Sequence, residues 1–119
     1  MRTKSLCQAF FRKRESVPFI FMKRGITMST IAAIATPNAP GGISVIRISG
    51  ENSLGIADMI FKNFSGVLPS DMQGYTCAYG NIVYNNEIVD DVVLTVFRNP
   101  KSYTGEDVVE ISCHGGRYI

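Results

Sequence analysis

The chain has 119 residues, of which 45% are hydrophobic, and a formal net charge of +2 at pH 7. This length suits one domain with a modest core, and no apolar run approaches the roughly 20 residues that a membrane-spanning helix needs. Three cysteines without CxxC spacing and a single histidine argue against a disulfide framework and a structural zinc site. We therefore expect a soluble cytoplasmic protein with no metal centre.

The first 27 residues are strongly basic. They hold seven lysines and arginines against Glu15 alone, a balance of +6, so the overall +2 leaves −4 for residues 28–119. Such a segment can bind RNA phosphates or serve as an organelle-targeting peptide, but it lacks the extended apolar stretch of a secretory signal. The composition leaves both interpretations open.

Two β-branched runs, 30–36 and 43–49, predict strands on either side of the turn-forming segment 37–42. Because side chains alternate along a strand, Arg47 leaves from a face that otherwise consists of core residue types. A guanidinium there needs an anion, which could be a side chain such as Glu110 or the carboxylate of a bound small molecule. The sequence alone favours the ion pair.

After the second strand, apolar residues recur at helical spacing. They are Leu54, Ala57, Ile60, Phe61 and Phe64. This spacing predicts an amphipathic helix of about three turns, preceded by N-cap candidates in 49–53. We expect the helix to cover the sheet, because it lacks the basic polar face of a membrane-surface helix.

A loop over 65–74 leads into a predicted hairpin. Segments 75–84 and 87–97 flank Asn85-Asn86, a pair that tolerates the left-handed conformations of a tight turn. Residues 92–97 are apolar on both faces apart from one threonine, which is typical of a central strand. The same hairpin could equally belong to a dimer interface.

The segment SYTGEDVVEISCHGG at 102–116 is the most informative part of the chain. Gly105 can adopt a positive φ, so residues 103–107 predict a turn whose polar side chains satisfy backbone donors. Residues 108–114 then predict a strand that carries Glu110 near its middle. A glutamate there either faces solvent at a sheet edge or meets a ligand or a cation.

Cys113 and His114 have the residue types of a nucleophile and a base. Neighbours in a strand point to opposite faces, so we expect no catalytic cooperation between them. The sequence contains no GxxxxGKS/T phosphate loop, and its glycine pairs therefore indicate turns rather than a nucleotide site. We assign no catalytic residue.

The residues 30–50, TIAAIATPNAPGGISVIRISG, followed by the motif at 102–116, resemble the N-terminal domain of the MnmE family of tRNA modification GTPases, also called TrmE. The resemblance covers residues 28–119. It implies an α+β fold, with a mixed, largely antiparallel sheet or partial barrel and one or two packed helices, similar to the folate-binding domain of the glycine-cleavage T-protein. It also implies a homodimer and a bound 5-formyl-tetrahydrofolate, contacted by Arg47 and Glu110 and by lysines beyond residue 119.

In complete family members, the resemblance further implies a G domain that uses GTP, Mg²⁺ and K⁺. Together with the flavoprotein MnmG, such a protein adds a carboxymethylaminomethyl-type group to the wobble uridine of certain tRNAs, with the folate as one-carbon source. We expect this chain to be truncated before its G domain. The alternatives are a non-enzymatic remnant that binds folate or dimerises and, less favoured, a free-standing T-protein-like aminomethyltransferase.

The resemblance also bears on residues 1–27. Family members begin near Met28, so we favour a mis-assigned upstream start, and hence a poorly ordered segment, over organelle targeting. For the folate, we expect Arg47 to suit the carboxylate of the glutamate tail. Glu110 can accept hydrogen bonds from the 2-amino group and N3–H of the pterin.

Overall fold

The computed structural model describes residues 30–37 and 39–115. Within them the strands are β1 (Ile31–Ile34), β2 (Ile43–Ser49), β3 (Phe61–Asn63), β4 (Thr76–Tyr84), β5 (Glu87–Phe97) and β6 (Val108–His114). An α-helix, α1 (Ser53–Ile60), follows β2, and a short 3-10 helix (Pro69–Asp71) precedes β4. Neither helix is long and apolar enough to cross a membrane. The predictions for residues 1–27 and the proposed start at Met28 lie outside the described residues.

The six strands form one open sheet in the order β1-β2-β6-β5-β4-β3, and every described pair is antiparallel. The predicted α+β class is confirmed, with a sheet rather than a partial barrel. Strands β2, β5 and β6 have the predicted bounds. The central position of β5, between β4 and β6, is also confirmed.

The core lies between α1 and one face of the sheet. Its buried apolar members include Ile46, Ile48, Leu54, Ala57, Ile60, Leu94, Val96, Val109 and Ile111. The strand members follow the period of two that a half-covered sheet requires. Helix α1 contributes Leu54, Ala57 and Ile60, which recur at three-residue spacing on its inner side. This packing buries one face of the sheet and leaves the other accessible.

We call the opposite side of the sheet the open face. It carries alternate residues of the inner strands: Val45, Arg47, Glu110, Ser112, Val93, Thr95, Phe97, Cys77 and Tyr79. Val93 and Tyr79 are 41% and 53% exposed, so described residues leave this part of the face uncovered, whereas Ser49 and Val108 at its end are 3% and 1% exposed. Apart from Thr95, residues 92–97 are apolar on both faces of β5, but only Val92, Leu94 and Val96, on the core face, are buried.

The hairpin turn between β4 and β5 is confirmed. Asn85 and Asn86 have φ values of 51° and 62°, the positive pair that the twist of a two-residue hairpin requires. Asparagine adopts this region at lower cost than most residues.

The helix ends four residues earlier than its spacing predicts. Phe61 is extended, with φ −105° and ψ 127°, and begins β3, which pairs with β4. The prediction that the helix reaches Phe64 is therefore wrong. Phe61 is buried in the core, at 3% exposure, whereas Phe64 is 63% exposed. Two separate environments happened to reproduce helical spacing.

Candidate functional site

Arg47 and Glu110 lie directly opposite each other in the register of β2 and β6. Arg47 Nε and Nη2 both donate to Glu110 Oε1, at 2.8 Å and 2.5 Å. The side chains are 35% and 20% exposed. The ion pair favoured by the sequence is confirmed, and it stands on the open face.

Each member of this ion pair keeps one polar atom available. Among the described residues, neither Glu110 Oε2 nor Arg47 Nη1 has a hydrogen-bond partner. One is an acceptor and the other a donor, and both belong to charged groups, which form stronger hydrogen bonds than neutral ones. The pair can therefore accept a hydrogen bond at Glu110 Oε2 and donate one from Arg47 Nη1.

An aromatic cluster borders the ion pair. The ring of Tyr103 lies 5.0 Å from Arg47 Cζ, a cation–π distance. Phe97 contacts Tyr103 on one side and Tyr75 on the other, with ring centroids 6.4 Å and 5.9 Å apart. Sequence reasoning placed Tyr103 in a turn and missed its position over Arg47, because the path of a turn back across a sheet has no periodic signal.

The turn that carries Tyr103 is fastened to β2 by Ser49. Ser49 Oγ lies 2.7 Å from Thr104 Oγ1 and donates to Glu106 Oε2 at 2.8 Å. Because the single hydroxyl proton of Ser49 goes to Glu106, Thr104 Oγ1 donates to Ser49 Oγ. The predicted turn is confirmed by Gly105, whose φ is +76°.

The expected use of the turn's polar side chains is only partly correct. Asp107 Oδ1 does accept a backbone bond, from Asn99 N at 2.8 Å. Thr104 and Glu106 instead bind Ser49, which is 3% exposed. Thr104 and Glu106 therefore bond to the buried Ser49 hydroxyl on β2 and not to backbone amides of the turn.

A second polar cluster lies where β6 ends. Asp90 accepts from the backbone N–H of His114 through Oδ2 at 2.9 Å, and its Oδ1 lies 2.7 Å from His114 Nδ1. The Tyr79 hydroxyl donates to Asp91 Oδ2 at 2.6 Å. The hydrogen bond with Asp90 and the charges of Asp90 and Asp91 raise the pKa of His114, while the Tyr79 bond lowers the pKa of Asp91.

The side chains of Asp90, Asp91 and His114 are close enough to share a metal ion, with ligand atoms within 4.8 Å of one another. However, His114 Nδ1 and both oxygens of Asp90 already take part in hydrogen bonds inside the cluster. The cluster is satisfied without an ion, and we assign it no metal.

This cluster makes the stability depend on pH. Because the pKa of His114 is raised by folding, its stabilising contribution is complete below the unfolded pKa of about 6.5 and is lost as the pH rises through the folded pKa. We expect His114→Gln to destabilise the protein more at about pH 5.5 than at about pH 8.5. Urea unfolding of both proteins measures this, and an equal loss at both pH values would contradict it.

The side chains of Cys113 and His114 have different hydrogen-bond partners. The thiol of Cys113 is buried and donates to Ser44 O at 3.3 Å, while His114 Nδ1 bonds to Asp90 Oδ1. Burial raises the pKa of Cys113, which disfavours the nucleophilic thiolate. Among the described residues, no hydrogen bond joins the two side chains.

The fold and the site together define an α+β domain that presents an ion pair with unused hydrogen-bonding atoms on an open sheet face. The family model described as "GTP-binding protein TrmE N-terminus" matches residues 30–119. The chain therefore belongs to the TrmE N-terminal family, as its two motifs predicted.

Relatives with the name tRNA modification GTPase MnmE agree with this assignment. The chain is 54% identical to that of Clostridioides difficile over 87 residues, which cover 73% of this chain and 19% of the relative. It is 52% identical over 94 residues to that of Parabacteroides distasonis, covering 77% and 20%. The chain thus corresponds to the N-terminal part of these proteins and spans about a fifth of their length.

Proposed function

We propose that this chain forms the folate-binding part of a MnmE-type tRNA modification GTPase, with 5-formyl-tetrahydrofolate held by Arg47 and Glu110. The observation that carries the proposal is that the ion pair leaves an acceptor, Glu110 Oε2, and a donor, Arg47 Nη1, without a partner among the described residues. Both residues lie within residues 30–119, which the family model matches.

The chemistry of a pterin suits this pair. The ring carries two donors, N3–H and the 2-amino group, and one acceptor, the C4 carbonyl, so a donor can bond to Glu110 Oε2 while the carbonyl accepts from Arg47 Nη1. Since the two charged groups contact each other, they act on the same part of the ligand. We therefore propose that Arg47 binds the pterin rather than the glutamate tail. Residues other than Arg47 and Glu110 would bind the carboxylate of that tail.

The activity of the whole protein follows from this role. The bound folate would supply the one-carbon unit for a carboxymethylaminomethyl-type group on the wobble uridine of tRNA, in a cytoplasmic complex with MnmG. GTP, Mg²⁺ and K⁺ would act in a G domain of the full-length protein. The antiparallel sheet with its covering helix supports a likeness to the folate-binding domain of the glycine-cleavage T-protein.

A homodimer is part of the same proposal. Strand β1 ends the sheet and carries Ile31 and Ile34, which are 62% and 49% exposed. An edge strand with exposed apolar side chains readily pairs with another chain. Sedimentation equilibrium should give twice the mass of the 13.1 kDa chain, and a monomer at all concentrations would exclude the dimer.

Calorimetric titration with 5-formyl-tetrahydrofolate tests the folate site. We expect saturable binding with one ligand per chain, and weaker binding of p-aminobenzoyl-glutamate, which lacks the pterin. If the folded chain shows no saturable binding, the folate proposal fails. A dimer that binds no folate would instead support the alternative function, a non-enzymatic dimerising remnant.

A further inference from the structure

We propose that Tyr103 is a binding residue that stacks on the planar ring of the ligand held by Arg47 and Glu110. This inference rests on the proposed function and assigns to the same site a specificity-determining contact with the pterin. It starts from the unusual exposure of Tyr103, which is 80%. A residue so exposed has most of its ring surface open to a ligand.

Contacts on one side define where the Tyr103 ring lies. It is 5.0 Å from Arg47 Cζ and touches the ring of Phe97 in a tilted arrangement, at 52° between planes. Arg47 Nη1, which has no partner among the described residues, belongs to the same planar guanidinium. A flat group bonded to Nη1 would therefore lie within reach of the Tyr103 ring.

The turn holds this ring in place before any ligand arrives. Thr104 and Glu106 both bond to the buried Ser49 hydroxyl, while Ser102 Oγ donates to Glu106 O at 2.6 Å. These bonds fix the residues on both sides of Tyr103. A preformed contact lowers the ordering cost that binding would otherwise include.

Three contacts together select for a ligand of one shape. Glu110 Oε2 requires a donor, Arg47 Nη1 requires an acceptor and Tyr103 requires an aromatic or conjugated plane. A pterin meets all three requirements, whereas a simple carboxylate offers neither the donor nor the ring. Stacking of a heterocycle on an aromatic side chain is a recurrent and sizeable contribution to binding.

The test compares the affinities of the wild type, Tyr103→Phe and Tyr103→Leu for 5-formyl-tetrahydrofolate by calorimetric titration. We expect Tyr103→Leu to weaken binding by about 5- to 150-fold, and Tyr103→Phe, which keeps the ring, to stay within about twofold. The isolated ring system, 5-formyl-tetrahydropterin, should lose affinity by the same factor as the whole folate.

Phe64→Leu is the matched control, since Phe64 is an aromatic residue with 63% exposure that follows β3, at the sheet edge farthest from β1. It should bind like the wild type. Wild-type affinity in Tyr103→Leu, or a loss for the folate without a loss for the isolated pterin, would overturn the inference while the folate site stands. If the wild type itself does not bind, the proposed function fails, and this inference with it.

Discussion

Glu110→Gln should weaken the binding of 5-formyl-tetrahydrofolate by about 1.5–3 kcal/mol, the usual range for a hydrogen bond to a charged group. Glutamine keeps the size of the side chain but removes the charge and can place an N–H₂ against the pterin N3–H. Arg47→Met should cause a similar loss, because it removes the donor to the pterin carbonyl. Calorimetric titration of each variant measures these changes.

Both substitutions also break the ion pair, so the binding loss must be separated from a loss of folding. Glu87→Gln is a matched control for the charge change, because Glu87 is exposed at the start of β5. We expect this control to bind as the wild type does. Urea unfolding would show that each variant remains folded under the titration conditions. Wild-type affinity in both Glu110→Gln and Arg47→Met would refute the folate site.

Gly80→Ala should lower the free energy of unfolding by about 2–3 kcal/mol, the upper part of the range for overpacking a filled site. A Cβ at Gly80 would overlap the backbone oxygen of Lys62 and lie 2.7 Å from Phe61 Cζ. Backbone of a paired strand cannot move aside as a side-chain tip can. The substitution must therefore push β3 away from β4 or displace Phe61 from the core.

Gly55→Ala makes the same chemical change where there is room. Gly55 is exposed within α1, and a Cβ there would meet nothing within 4 Å. Since alanine favours a helix over glycine by about 1 kcal/mol, this variant should be more stable than the wild type. Urea unfolding of the two variants should thus give opposite signs. Equal effects would show that the close approach at Gly80 does not limit the fold.

Much of the sheet was predictable because its signals are local. Strand β2 has a period of two between a turn-forming segment and a glycine, and its predicted bounds, 43–49, are those observed. The Asn85-Asn86 turn is likewise determined by the residues within it. Such elements require no knowledge of distant neighbours.

The end of α1 was not predictable for the opposite reason. Phe61 continues the helical spacing, and only its pairing with Ile82 on β4 shows that the chain has become a strand. This pairing depends on Gly80, 19 residues further along the chain, which allows the two backbones to approach. Tertiary contacts of this kind override local periodicity.

The site was predictable in part. The pairing of Arg47 with Glu110 was the favoured interpretation, but the face of β2 that carries Arg47 was expected to be core, whereas the core residues of this strand are Ile46 and Ile48 on the opposite face. The place of Tyr103 was not accessible from the sequence, because it depends on the Ser49 hydroxyl, 54 residues earlier, that fastens the turn to β2. Long-range side-chain bonds to a loop leave no pattern in the residues of that loop.

The central claim is that the Arg47–Glu110 pair binds the folate, and the ¹⁵N side-chain spectrum of arginine tests it in the unmodified chain. Arg98 is the internal reference, since its guanidinium donates to Ser70 O and Met72 O, away from the pair. Adding 5-formyl-tetrahydrofolate should shift the signals of Arg47 and leave those of Arg98 unchanged. Unchanged Arg47 signals at saturating ligand would contradict the account.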